Sequence, residues 1–278
     1  MSEITSAPHE AQIALLLDYD VHWAVQLQPH HRDFDYLRFL FVYYRALQRL
    51  GLPVDILSVN ADLSQYKMVI VPTAFLAPER FASSLKSFAE TGGTVLLGVR
   101  SGFKTTNNRV TDNPLPGLFR DLIGITVSDW HSLPPHACYD LSSSIPNLVG
   151  PATIWAEALY PAVSASQSRD PDLQVLAHYT SGPFSSYEAL TEHKVKAGRA
   201  LYLGWYPNDS QAEALLSHLA SQAGILSLDT VPDGMIASRR GPHLILLNFT
   251  EEPLMATVRG QTVLVGPRDV EVVRINGS

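Results

Sequence analysis

With 278 residues, 46% of them hydrophobic and 17% charged, the chain is long enough for a large core and for about two domains. A net charge of -7, from 20 Lys+Arg against 27 Asp+Glu and with no basic run, speaks against nucleic acid or an anionic membrane surface as partner. The single cysteine, Cys138, excludes an internal disulfide and a cysteine-rich zinc site, no apolar run is long enough to span a membrane, and residues 1 to 10 read as a polar tail and not a signal peptide, so a cytoplasmic location is the expectation.

The first element is a strand over Ile13, Leu15, Leu16 and Leu17, whose continuous apolar run fits a strand covered by helices on both faces. It runs into a polar, aromatic stretch, Asp18-Tyr19-Asp20-Val21-His22-Trp23, read as a loop. In doubly wound sheets ligands and partners gather at the carboxyl ends of strands, which places these residues where function is usually found. A capped strand end with its aromatics packed on a neighbour fits them as well. Asp35 to Leu50 then places Leu37, Leu40, Phe41, Tyr44, Leu47 and Leu50 at helical spacing before Gly51. Strands are expected over Pro53 to Leu57, Met68 to Val71 and Thr94 to Leu97, with a helix over Pro78 to Thr91 stopped by Gly92-Gly93. Alternation of this kind predicts parallel β-α-β units.

From Gly98 the chain reads as a long polar loop through Asn108, then a short helix ending at Gly124. Residues 125 to 165, rich in Pro and Ser, suggest short strands and loops. Gln174 to Tyr179, Tyr187 to His193 and Ala200 to Leu203 read as strands, the last two forming a hairpin about Lys196-Ala197-Gly198. A final helix, capped by Asp209 or Ser210, extends to Ala223. Beyond Leu228 five short strands follow, near 235–239, 243–248, 254–258, 262–265 and 270–275. The expected division is therefore residues 1–228 as an α/β domain and 229–278 as a small antiparallel β domain that leans on it.

Motifs for independent chemistry are sparse. After the strand at Thr94 the sequence Gly98-Val99-Arg100-Ser101-Gly102 has no cysteine and no Gly-x-Ser-x-Gly pattern, so a nucleophile there would have to be Ser101 with a histidine such as His131 or His136. Cys138 reads as a buried small hydrophobe. Neither phosphate-binding glycine motif follows the first strand, and the ten histidines show no metal-ligand spacing, so no cofactor and no metal are expected. His30-His31 reads as a solvated turn.

An ordered set of short motifs resembles family 42 glycoside hydrolases, the microbial β-galactosidases. The set comprises Leu17 to Ala24, Tyr43 to Leu47, Gly51 to Asp55, Ala61 to Lys67, Gly92-Gly93-Thr94, Arg100-Ser101-Gly102, Asn108-Arg109-Val110, Leu115-Pro116-Gly117, Gly198 to Gly204 and Leu246 to Thr250. It covers nearly the whole chain. It departs from the family at Ser185 to Ala189 and at Val195 to Gly198. The resemblance is to the back part of that enzyme. It implies a flavodoxin-like or class I glutamine-amidotransferase-like trimerisation domain followed by a small β domain. A catalytic (β/α)8 barrel needs roughly 200 residues or more, whereas about ten precede the first strand here. By resemblance the two catalytic glutamates, held roughly 5 Å apart in retaining enzymes, are not expected on this chain.

Three readings follow. The preferred one is a noncatalytic trimerisation and scaffold part, a homotrimer that completes a barrel supplied by another chain. Asp18, Tyr19, Trp23, Arg100 and Phe103 are then its candidate interface or active-site rim residues. For each of these, core packing or a structural hydrogen bond is the competing reading. The second is a stand-alone amidotransferase-like enzyme using Ser101, Cys138 or a histidine. The third is a sugar-binding module with Trp130, Trp155, Trp205 and Tyr206 as stacking platforms.

Overall fold

Strand β1 (Ile13–Leu17) leads not into a loop but directly into helix α1 (Tyr19–Leu27), and a second helix, α2 (Tyr36–Arg49), follows. The computed structural model describes residues 10–162, 170–228, 231–258 and 260–275. The opening segment 1–9 and the expected boundary at 229–230 lie outside these. Asp18 makes the difference at α1: its extended backbone continues β1, while its side chain accepts from the Asp20 N–H at 2.8 Å and starts a helix. In α2, capped by Asp35, the core receives Phe39, Leu40, Tyr43, Ala46 and Leu47. Leu37 and Phe41, expected on the inner stripe, are 41% and 50% exposed. Both flank the polar face made by Arg38, Arg45, Gln48 and Arg49 and so lie at the margin of the apolar stripe.

Strands β2 (Val54–Ser58) and β3 (Met68–Val71), helix α3 (Glu79–Glu90) and strand β4 (Thr94–Gly98) match the expected elements closely. A short 3-10 turn and helix α4 (Arg120–Ile123) end at Gly124 in the left-handed region. Residues expected as short strands instead build two of the longest, β5 (Ile125–Ser132) and β7 (Thr153–Pro161), with β6 (Leu141–Ser143) between them. Then come β8 (Leu173–Tyr179), the hairpin β9 (Glu188–Val195) and β10 (Gly198–Leu203), β11 (Trp205–Tyr206) and helix α5 (Asp209–Gln222). Asn208, one residue before the expected cap, opens α5 through a reciprocal capping box with Gln211.

These strands form one large mixed sheet. Its parallel half runs β2-β1-β3-β4-β10, and its antiparallel half continues from β10 through β9, which pairs with β7 and β8. The parallel strands are apolar at successive positions because they feed two cores. Ile13, Leu15, Met68, Ile70 and Leu96 pack on one face against α1, α2 and α5. Ala14, Leu16, Val69, Val71, Val95 and Leu97 pack on the other against α3 and α4.

The small unit has strands β12 (Met235–Arg240), β13 (His243–Asn248), β14 (Leu254–Val258), β15 (Gln261–Val265) and β16 (Val270–Arg274). They pair antiparallel as β12-β13-β16 and β14-β15 around Met235, Leu244, Leu246, Val258 and Val265. Arg49 ties the unit to α2: its guanidinium lies 2.9 Å from Asp233 and 2.9 Å from Glu213. Beside this link a cleft of about 380 Å³ opens between Phe41 and Tyr44 of α2 and Met235, Ile236 and Phe249.

Candidate interaction site

Helix α1 is short and divides sharply between its faces. Val21, Ala24 and Val25 enter the core, whereas Tyr19, Trp23 and Leu27 are 59%, 56% and 78% exposed. Their spacing of four residues lines them along one outward stripe, and the Tyr19 and Trp23 rings sit 6.1 Å apart. Asp18, half-buried, fixes the start of the stripe: its N–H donates to the Tyr36 hydroxyl at 2.9 Å. Of the five sequence candidates, Asp18, Tyr19 and Trp23 therefore lie together on or beside one face. Leu27 completes that stripe; it escapes a reading that ends α1's segment as a loop.

Arg100 and Phe103 are placed differently from the interface or rim expectation. Arg100 is fully buried and Phe103 is 7% exposed, so neither offers its side chain to another chain directly. The polar loop after β4 folds back along the segment after β3, with the Gly102 N–H on Ala74 O at 2.8 Å and the Lys104 N–H on Phe75 O at 2.9 Å. Gly102 has φ +70°, and a Cβ there would stand 1.9 Å from Pro116 O, so only glycine closes this turn. Arg100 itself takes φ +61°, an uncommon conformation for a side-chain-bearing residue. Its guanidinium lies among the rings of Phe34, Phe75 and Trp155, at 4.6, 4.5 and 4.9 Å. Arg100 Nη1 donates to Pro29 O at 2.9 Å and Nη2 to Gln28 O at 2.8 Å. Those carbonyls end α1, so a buried cation sits at the negative end of the helix that carries the aromatic stripe. Lys104 reinforces it, donating to the Gln28 side chain and to Asn108 Oδ1.

The backbone of Arg100 points its N–H at Glu157 Oε1, 2.7 Å away. That oxygen also accepts from Trp155 Nε1 at 2.8 Å, and Oε2 accepts from the Tyr202 hydroxyl at 2.7 Å. Burial pushes the Glu157 carboxyl up to about 7 despite these donors, and burial lowers Arg100 to about 10, which leaves it charged at neutral pH. Glu157 had no place among the sequence candidates. Its signal was a lone carboxylate in the apolar run Ile154-Trp155-Ala156-Glu157-Ala158-Leu159.

The other chemical candidates disperse. Ser101 is fully buried, its Oγ donating to Gly98 O at 2.7 Å and accepting from the Ala74 N–H at 2.9 Å, so it is a structural hydroxyl. His131 is engaged with the Tyr139 hydroxyl at 2.6 Å. Cys138, expected buried, is exposed. Trp155 and Trp205 are fully buried and Tyr206 is 8% exposed, which removes three of the four expected sugar platforms. Trp130 is half-buried and stacks on Trp155 at 4.8 Å. Among the described residues no group of three or more His, Cys, Asp and Glu side chains could hold a metal ion, and no helix is long and apolar enough to cross a membrane.

Comparison with known proteins accounts for the sheet. The β-galactosidase BgaH of Haloferax lucentense is 32% identical over 263 residues, which are 94% of this chain and 38% of that protein. The β-galactosidase Bga of Halorubrum lacusprofundi is 33% identical over 88% of this chain and 35% of its own length. The solved structure of the β-galactosidase from Halorubrum lacusprofundi superposes with a TM-score of 0.83 at 31% identity, covering 98% of this chain and 41% of that one. The β-galactosidase of Bacillus circulans, at 24% identity and TM-score 0.86, shares the fold. The chain thus spans about two fifths of the length of these relatives. Residues 11–226, which hold the whole mixed sheet and the α1 stripe, match the family described as the β-galactosidase trimerisation domain, and to that family the chain belongs.

Proposed function

We propose that this chain is the noncatalytic self-association and scaffold part of a family 42 β-galactosidase. In this reading three copies pack through the α1 face at Asp18, Tyr19 and Trp23, while Arg100 and Phe103 hold that face from beneath. Hydrolysis of terminal β-galactosides follows only where a catalytic barrel is supplied by another part or another chain. The observation that carries the reading is the stripe of Tyr19, Trp23 and Leu27 exposed on a short, well-anchored helix, since clustered exposed aromatics mark association surfaces. The parallel order β2-β1-β3-β4-β10 supports a flavodoxin-like or amidotransferase-like ancestry for the larger unit. The small β unit, with its separate core, supports a second domain near residues 229–278.

Light scattering on the purified chain and on Trp23→Ala is the test. The native chain is expected to run as a trimer. The variant is expected to dissociate with a loss of at least ~2 kcal/mol, roughly thirtyfold in affinity, while its melting temperature stays nearly constant, because an exposed side chain contributes little to the fold. A native monomer, or a variant that unfolds, refutes this assignment of the face.

A further inference from the structure

Two residues beyond Gln28, which caps the carboxyl end of α1, stands a residue with an uncommon backbone. His30 takes φ +59°, and its Nδ1 faces Arg100 Nη2 at 2.9 Å. A guanidinium nitrogen can only donate, so Nδ1 accepts and the ring is neutral with its hydrogen on Nε2. The ring also lies against Trp130, 5.2 Å between centroids, and the Ser132 hydroxyl donates to His30 O at 2.8 Å. We propose that His30 is an acid-sensitive latch: neutral, it locks the end of α1 onto the Arg100 anchor, and protonated it releases that end and loosens the aromatic face that associates with other copies. The proposal rests on the reading of the α1 face as a self-association surface.

The surroundings make protonation at Nδ1 unfavourable and its effect local. Burial, and then the positive charge that Arg100 and Lys104 present from the loop after β4, lowers the histidine's affinity for a proton. From β5 it meets Trp130, flanked by Asp129 and His131, which lie 3.8 Å from each other. From β7 it meets Trp155, whose indole N–H is already held by Glu157. On its own loop, Arg32 and Asp33 pair at 3.6 Å, and His31 bonds Leu133 O and the Asp33 N–H. A proton on Nδ1 therefore removes one of the two acceptors facing Nη2, leaving Gln28 O, and sets two cations against each other. His30 as a residue is exposed, so solvent lies beside it for the ring to turn into. Gln28 O and Pro29 O then lose their alignment with the guanidinium. The sign is that of a histidine that must be neutral: the anchored state is favoured above the ordinary histidine range and is lost as pH falls below it.

The experiment compares the native chain with His30→Asn between about pH 7.5 and about pH 5.5, by light scattering and by amide hydrogen exchange corrected for intrinsic rates. Asparagine tolerates the left-handed backbone and keeps an acceptor for Arg100, but it does not titrate. On acidification the native chain should lose about tenfold in association constant, with faster exchange confined to residues 24–30, and the variant should show neither change. A variant with the native pH dependence, or native amides in 24–30 that exchange equally at both pH values, overturns the latch. If the native chain does not associate at any pH, the interface reading fails and exchange alone decides the latch.

Discussion

Glu157 is enclosed on all sides, and its three donors only partly replace the water it gave up. In the unfolded chain this carboxyl releases its proton near 4.5, in the folded chain near 7. Between those values only the folded state holds the proton, so stability declines as pH rises through the window and the contribution is fully present below it. At about 1.4 kcal/mol per unit, the fall between pH 5 and pH 8 should reach about 2.5 kcal/mol. Calorimetry of the native chain should record a melting temperature that drops over this range. Glu157→Gln should flatten the profile, since the Tyr202 hydroxyl can turn to accept from the amide; an unchanged slope would assign the titration to another group.

At the scale of elements, the loop that carries Arg100 depends on Gly102. Gly102→Ala brings a methyl onto the Pro116 carbonyl in a backbone conformation that alanine resists, and should cost ~2 kcal/mol or more in urea unfolding. Its effect should extend to α1, seen as faster amide exchange at residues 24–30, because the displaced loop no longer places the guanidinium under Gln28 and Pro29. The same elements show what the sequence made legible. Strand β1 is continuously apolar, and strands β3 and β4 and helices α2 and α3 are apolar or periodic and bounded on at least one side by Gly or Pro, so all could be read to within about two residues. Helix α1 could not, because only Val21, Ala24 and Val25 turn inward and the exposed Tyr19 and Trp23 mask that stripe. The burial of Arg100, Ser101 and Lys104 was equally hidden, since a polar run looks like surface until its hydrogen-bond partners, distant in sequence, are known. Strands β5 and β7 stayed obscure for a related reason. Their alternation is interrupted by Trp130, His131 and Glu157, whose partners lie on other elements.

At the scale of the molecule, ion pairs among the described residues tie the small β unit to the larger one. Arg49 reaches Asp233 from α2, and Arg239 of β12 lies 3.5 Å from Glu10. Arg49→Ala should loosen the unit more than it destabilises the chain. The expected result is faster proteolysis between Leu228 and Met235 with a loss of only ~1 kcal/mol in global unfolding, as befits partly exposed ion pairs. Protection unchanged from the native chain would mean that the walls of the Phe41 and Phe249 cleft hold the unit without the arginine.

The seam between the two halves of the large sheet also has a consequence for synthesis. Strand β4 finds its second partner, β10, only about a hundred residues later. As the chain leaves the ribosome, β1 to β4 can assemble early, but β4, buried along its whole length in the finished protein, then presents an open edge while residues 99 to 197 are still being made. The nascent chain is at its most vulnerable to misassociation in that interval, and the finished protein escapes it only when the β9–β10 hairpin arrives to close the seam.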